Sequence, residues 1–356
     1  MLVITATELP RVMQCNGSRL MPASLPPQAT DPTDREEGNA AHWAAQRLFE
    51  GHDIVPGQFA PNGYAVTGEM LEHVGTYLSA LNCGEMETET SFGTDVYRVN
   101  ARCDHRKWDA PRSTLHIDDF KYGRRLVDPV NNWTLIAHAI GTCMFLQIRP
   151  ERIVLTIHQP RPHHPDGHSR SWVITYTELM NLYSTLDATL RNPSDMLRTG
   201  SQCAKCHALA TCPAAREAGM NAIDATCLAF NENLSNDIVS FELDTLRTAA
   251  ATIKNRLTAL EDLAQHRLRG GQIIDNYALD NQWGHRRWKP GLTAKAVSLV
   301  TGVDVTKDEL VTPAEAERRG VPAPVVKSLT ERPMTGVKLI RQSADQRARK
   351  LLNTRS

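Results

Sequence analysis

Asp119 and Lys121 stand two residues apart in Leu115-His116-Ile117-Asp118-Asp119-Phe120-Lys121-Tyr122, a run closed by Gly123. The run predicts a strand, and side chains two apart on a strand share a face. A carboxylate and an ammonium would then project together, with Asp118 on the opposite side. Asp104 ends the preceding predicted strand, which begins near Val96. A turn at Pro111 and Ser113 would fold the two strands into a hairpin and set Asp104 beside Asp119. Upstream, His42 lies on a predicted helix with Gly38 one turn earlier. Two carboxylates and an imidazole are suitable donors for Mg²⁺ or Mn²⁺. Such a cation polarises a phosphate and acidifies a bound water, and a lysine beside it can stabilise the charge that builds on phosphorus. Phosphodiester hydrolysis needs these groups. Each residue alone has a plainer reading: a surface ion pair for Asp119 and Lys121, and a helical histidine packed beside Trp43 for His42. Glu36 and Glu37 read as helix-start charges.

Cysteine supplies a second constellation. Three of the eight cysteines crowd into Cys203-Ala-Lys-Cys206-His-Ala-Leu-Ala-Thr-Cys212. Soft thiolates select zinc or an iron–sulfur cluster over hard cations. Three are one short of a full set. Cys15, Cys83, Cys103, Cys143, Cys227 and His207 are the candidates for the fourth, and spacing does not choose among them. A four-cysteine zinc site normally pairs two CxxC knuckles, whereas this chain has one; the five-residue gap before Cys212 favours a cluster. Cysteines outside the set read as small buried hydrophobes.

Positioning these groups requires helices around strands. Helices are predicted from near Asp34 to Phe49, over 66–82, over 131–147 and over 177–192. Strands are predicted within 86–128, at Ile153 to Ile157 and at Trp172 to Tyr176. His158, His163, His164 and His168 surround the proline-rich turn between the last two and read as a solvent-exposed hairpin loop. A periodic helix over 236–268, stopped by Gly270-Gly271, reads more simply as an amphipathic helix packed on the core than as a coiled coil. The expectation is an α/β fold, a mixed sheet flanked by helices. Its divisions are a core with the cysteine set in 1–230, a long helix in 231–270 and an accessory region in 271–356.

The chain has 356 residues, 40 basic and 40 acidic, so no net field draws it toward nucleic acid. DNA contact would have to use local clusters such as His285-Arg286-Arg287-Trp288-Lys289 or the tail from Arg341 to Arg355. Hydrophobic residues make up 41%, without a run long enough for a membrane helix. Residues 1–15 carry no apolar core of a secretory signal, so the expectation is a soluble intracellular protein in the cytoplasm.

The ordered series Gly38-x3-His42, Asp104, Asp119-Phe120-Lys121 resembles the motifs of RecB-like nucleases in the PD-(D/E)xK superfamily. It is similar to the nuclease domains of AddB and of the CRISPR-adaptation nucleases, and most of all to an uncharacterised group of phage and prophage proteins. The resemblance implies a restriction-endonuclease-like core with a cluster-bound subdomain and helical additions. It implies that His42, Asp104, Asp119 and the main-chain carbonyl of Phe120 bind Mg²⁺ or Mn²⁺ and that Lys121 is catalytic. It also implies that Cys15 joins Cys203, Cys206 and Cys212 around a [4Fe–4S] cluster that staples the core. The implied function is a deoxyribonuclease, an exonuclease processing DNA ends in phage recombination or replication. A single-strand annealing protein is its expected partner, and a homo-oligomer is left open. One motif departs. Where the family carries Gln-x3-Tyr on a DNA-contacting helix, this chain has Thr134-x3-His138, which share a helix face and can still reach a phosphate. That departure motivates the alternative of a non-catalytic DNA-binding scaffold.

Overall fold

The computed structural model describes residues 1–25, 33–81, 83–225, 235–283, 287–288, 292–307, 309–310, 312–331 and 334–341. Six strands form one mixed sheet: β1 (Leu2–Thr5), β2 (Glu85–Gly93), β3 (Tyr97–Asp109), β4 (Thr114–Phe120), β5 (Arg152–His158) and β6 (Ser169–Ile174). Their order is β1-β3-β4-β5-β6, and β2 pairs with β3. β1 with β3 and β4 with β5 are parallel, and the other pairs are antiparallel. β3 is the organising strand. β2 takes residues 98–106 of it, while β1 takes Tyr97–Asn100 and β4 takes His105–Asp109. A strand has two edges, so β1 and β4 share the edge opposite β2. Residues 101–104 of β3 lie in the gap between them.

Helix α1 (Leu9–Gln14) follows β1; α2 (Thr33–Phe49) and α3 (Gly68–Ala80) precede β2. The Thr67 side chain caps α3 by accepting from the Met70 amide at 3.1 Å. After β4 comes α4 (Trp133–Leu146), capped by Asn132, and after β6 comes α5 (Tyr176–Arg191), opened by a Thr175/Glu178 capping box. Those helices agree with the sequence periodicities to within a residue or two. α4 is apolar all round because it is buried all round: Leu135, Ile136 and Ile140 pack with Val99, Leu115, Ile117 and Leu155. Gly141 lets it approach the sheet, since a Cβ there would stand 2.4 Å from Thr90 Oγ1. A second apolar cluster joins α2 and α3 to the sheet through Ala41, Met70, Tyr77 and Phe120. The Tyr77 and Phe120 rings stack at 4.5 Å.

The chain divides into two compact units, Met1–Ala259 and Leu260–Ser356. The first ends with α6 (Pro213–Ala225) and most of α7 (Asn236–Arg269). This long helix meets the core at the cysteine loop through Ala259 and Arg256, and none of its residues is buried. In the second unit, strand Tyr277–Trp283 pairs antiparallel with Met334–Arg341. A small core there contains Val297, Val305, Ala316, Val321 and Val326. Among the described residues, no helix is long and apolar enough to cross a membrane.

Candidate metal centre

The hairpin of β3 and β4 does what its sequence predicts. His105 pairs with Asp118 at the end of the ladder, so Asp104 and Asp119 oppose each other one residue further on. The Phe120 amide donates to Asp104 Oδ2 at 2.7 Å, fixing that carboxylate against β4. Lys121 lies just past the strand, and its amide still bonds to the His158 carbonyl at 2.8 Å. That continued pairing keeps the alternation going, and Lys121 Nζ stands 2.6 Å from Asp119 Oδ2. From α2, His42 brings Nδ1 to 3.5 Å from Asp104 Oδ1. Gly38, one turn earlier, has open space where a Cβ would stand.

A residue absent from the sequence reading completes the group. Among the described residues, the side chains whose ligand atoms gather within 4.8 Å of one another are His42, Glu87 and Asp104. Asp119 stands beside this trio, paired with Lys121. Glu87 Oε1 is 3.7 Å from His42 Nδ1, and Arg102 Nε holds Glu87 Oε2 at 2.6 Å. The β2–β3 register explains the placement: Met86 faces His105 and Thr88 faces Cys103, which leaves Glu87 opposite Asp104. Glu87 has φ +52°, in the left-handed region that non-glycine residues rarely occupy. The strand's alternation fails there. Phe92 packs in the α4-side cluster, whereas Met86, an even number of residues away, packs with α2 and α3. The run Glu85-x-Glu87-x-Glu89 was the available signal, but it becomes informative only with the register.

The electrostatics are those of a crowded anionic site. Burial, with Asp119 and Glu87 nearby, pushes Asp104 up to about 6 against the pull of His42 and Lys121. Burial works to lower His42, but Asp104 and Glu87 outweigh it and the imidazole pKa rises. Burial also disfavours the Lys121 ammonium, and the neighbouring Asp119 and Asp104 carboxylates reverse that effect. Oxygen donors with one imidazole, crowded enough to strain one another, fit a hard divalent cation.

The residues expected to touch DNA are placed differently. Thr134 and His138 are both buried on α4. The Thr134 hydroxyl donates to the Ala6 carbonyl at 3.4 Å. His138, pushed down to about 4 by burial, senses Asp119, Lys121 and Glu87. Neither side chain is at the surface where a phosphate would meet it, because α4 is sandwiched into the core. Arg287 opens a two-residue strand paired with Thr330–Glu331 in the second unit, and Arg286 lies outside the described residues.

Behind the site, Asp118 accepts from two buried histidines: His105 Nδ1 and His158 Nε2, each at 2.9 Å. His158 Nδ1 in turn lies 2.8 Å from Ser169 Oγ. Burial opposes the Asp118 charge, yet the two imidazoles win and hold its carboxyl down at about 2. This row ties β3, β4, β5 and β6 together one residue from Asp119. The reading of His158 as part of an exposed loop is therefore corrected; it is a core histidine with a carboxylate partner. Arg161 bonds to Glu37 Oε2 at 2.8 Å and lies over the Tyr122 ring at 4.4 Å.

Cys15, Cys203, Cys206 and Cys212 line one cavity. The N-terminal segment reaches the cysteine loop through main-chain bonds: Gly17 N to Met196 O at 3.1 Å and Ser24 N to His207 O at 2.8 Å. Gly17 has no room for a side chain, since a Cβ would stand 2.7 Å from the Asp195 and Met196 carbonyls. The Arg198 amide points at Cys15 Sγ, 3.3 Å away. Burial and the neighbouring thiols push Cys203 and Cys206 up, favouring their neutral thiols. Of the other candidates for fourth ligand, His207 Nε2 is 2.9 Å from the Met21 carbonyl and Cys83 is exposed. Cys103 and Cys143 are buried in the α4-side cluster, and Cys227 lies outside the described residues. The four sulfurs do not form a group within 4.8 Å of one another. Tetrahedral zinc, with Zn–S of about 2.3 Å, needs sulfurs about 3.8 Å apart.

Comparison with curated proteins gives no match. Among solved structures, "Crystal structure of SSO0001" is similar at 18% identity, over 60% of this chain and 87% of that one, with a TM-score of 0.27. A family model matches residues 6–347, nearly the whole chain, which therefore belongs to the family described as "Protein of unknown function (DUF2800)".

Proposed function

We propose that this chain is a Mg²⁺- or Mn²⁺-dependent deoxyribonuclease. One observation carries the reading. His42, Glu87 and Asp104 converge from α2, β2 and β3, with the Asp119–Lys121 pair beside them. A divalent cation there supplies Lewis-acid polarisation of a phosphate and a more acidic water. The chain's own residues do the rest. The Phe120 amide keeps Asp104 oriented, and Arg102 and His42 hold Glu87 ionised. Lys121, kept charged by Asp119 and Asp104, is placed to stabilise negative charge growing on the phosphate oxygens. The carbonyl of Phe120 remains a proposed further ligand. The motif resemblance extends the reading to an exonuclease acting on DNA ends, with a single-strand annealing protein as partner.

We further propose that Cys15, Cys203, Cys206 and Cys212 hold a [4Fe–4S] cluster. It would cross-link residue 15 to residues 203–212 and so constrain the unfolded chain. A second reading, a DNA-binding scaffold without catalysis, draws on the burial of Thr134 and His138. The experiment that separates them uses anaerobically purified protein with end-labelled linear and closed circular DNA, in Mn²⁺ or EDTA. Loss of linear DNA alone, abolished by EDTA and by Lys121→Ala, is expected. Salt-sensitive binding with no cleavage would favour the scaffold.

A further inference from the structure

α7 is 34 residues long and presents an apolar seam in which, among the described residues, no side chain is buried. Leu243, Ala250, Leu257 and Ala264 alternate with Val239, Leu246, Ile253 and Leu260, at successive intervals of four and three residues. This is a heptad repeat held for nearly four heptads, the former set at a and the latter at d. The six large side chains in it are 38% to 55% exposed. A helix laid on its own core would have buried them. α7 does touch the cysteine loop, through Arg256 Nη1 to the Leu209 and Cys212 carbonyls and through Ala259. Those residues occupy g and c, roughly 90° to 130° round the helix from the seam at 100° per residue. One flank is anchored and the seam faces away.

We propose that this seam is a self-association surface, occupied by α7 of a second copy of this chain in a parallel, in-register coiled coil. Charge fits a second copy of this chain, and one lysine sets the direction. In that arrangement g of one helix meets e of the next heptad on the other. Glu242 then meets Arg247 of the second copy, and Arg256 meets Glu261 of it, so both charged pairings are attractive. Lys254 meets Ala249. An antiparallel arrangement would also pair Glu242 with Arg256 and Arg247 with Glu261, but it would set Lys254 against its own counterpart. Two alanines at a let a pair of helices approach closely, and in the wider interior of a larger bundle they would leave holes. The inference uses no residue of the candidate metal centre and stands apart from the nuclease reading.

Sedimentation of the full-length protein at tens of micromolar tests it. A dimer of the 39.6 kDa chain is expected. Leu246→Lys and Leu257→Lys, both at exposed positions, should each give monomer, whereas Phe241→Asp, exposed but off the seam at f, should remain dimeric. Glu242→Lys and Arg247→Glu should each weaken the dimer at least tenfold, and mixing the two variants should restore it as a heterodimer. Restoration by mixing Glu242→Lys with Arg256→Glu instead would overturn the parallel direction. A monomeric wild type, or a dimer indifferent to both leucine substitutions, would overturn the proposal.

Discussion

Replacing Glu87 by glycine should weaken the metal centre and relieve the backbone, whereas alanine should do only the first. Glu87 is one of three candidate ligand side chains and sits at φ +52°. Removing its carboxylate leaves His42 and Asp104; loss of even a partner that only orients a ligand weakens metal affinity by roughly 10- to 100-fold, about 1.4 to 2.8 kcal/mol, so at least that is expected. The two substitutions share that loss and also the loss of the Arg102 pair. Arg102 is 60% exposed, so its pair contributes under about 1 kcal/mol. They differ in the backbone. A left-handed residue with a Cβ costs about 1 to 2 kcal/mol that glycine escapes, and glycine's greater freedom when unfolded returns part of this, about 0.5 to 1 kcal/mol. Glu87→Gly should therefore be more stable than Glu87→Ala by about 1 kcal/mol. For a unit of this size that is about 2 to 4 °C in Tm. Calorimetric Mn²⁺ titration reads the first effect and thermal unfolding without metal reads the second. Unchanged Mn²⁺ affinity in both variants would refute the ligand role. Equal stability, or alanine above glycine, would refute the strained backbone.

Mn²⁺ binding should weaken as pH falls through about 6, because the proton that burial and neighbouring carboxylates favour on Asp104 must leave before a cation binds; titrations from pH 5 to 8 showing no such dependence would remove Asp104 from the ligand set. Asp118→Asn should cost about 2 kcal/mol near neutral pH, since a folded carboxyl at about 2 sits below its usual value. A depressed carboxyl stabilises the fold above its unfolded pKa and loses that contribution as pH falls toward the folded value. The difference between wild type and variant in urea unfolding should thus be constant above about pH 5 and shrink from pH 4 to 2. Anaerobically purified protein should contain iron and acid-labile sulfide, lost in Cys15→Ser and Cys206→Ser. Zinc with no iron would exclude the cluster.

The candidate site's geometry was legible in the sequence as far as one hairpin reaches. Asp104, Asp119 and Lys121 are related by strand alternation and a tight turn, and His42 by a helix whose acidic start and apolar spacing stand out. Register and period are local quantities, so local reasoning recovers them. Thr134 and His138 were misplaced because i, i+4 spacing says two residues share a face, not which face meets the core. On α4 every face does. The seam of α7 was visible as a period, but period cannot tell a helix lying on its own core from one waiting for another. Only the exposure of Leu246, Ile253 and Leu257 decides that. Glu87 is the instructive miss. Alternation relates residues on one strand, whereas Glu87 reaches the site by standing opposite Asp104 across the β2–β3 pair, at a left-handed backbone position. A strained position costs about 1 to 3 kcal/mol and persists only where the surroundings impose it. Here the pairing with β3 and the Arg102 guanidinium of that same strand hold it. The irregular backbone position is also where a third candidate ligand joins His42 and Asp104.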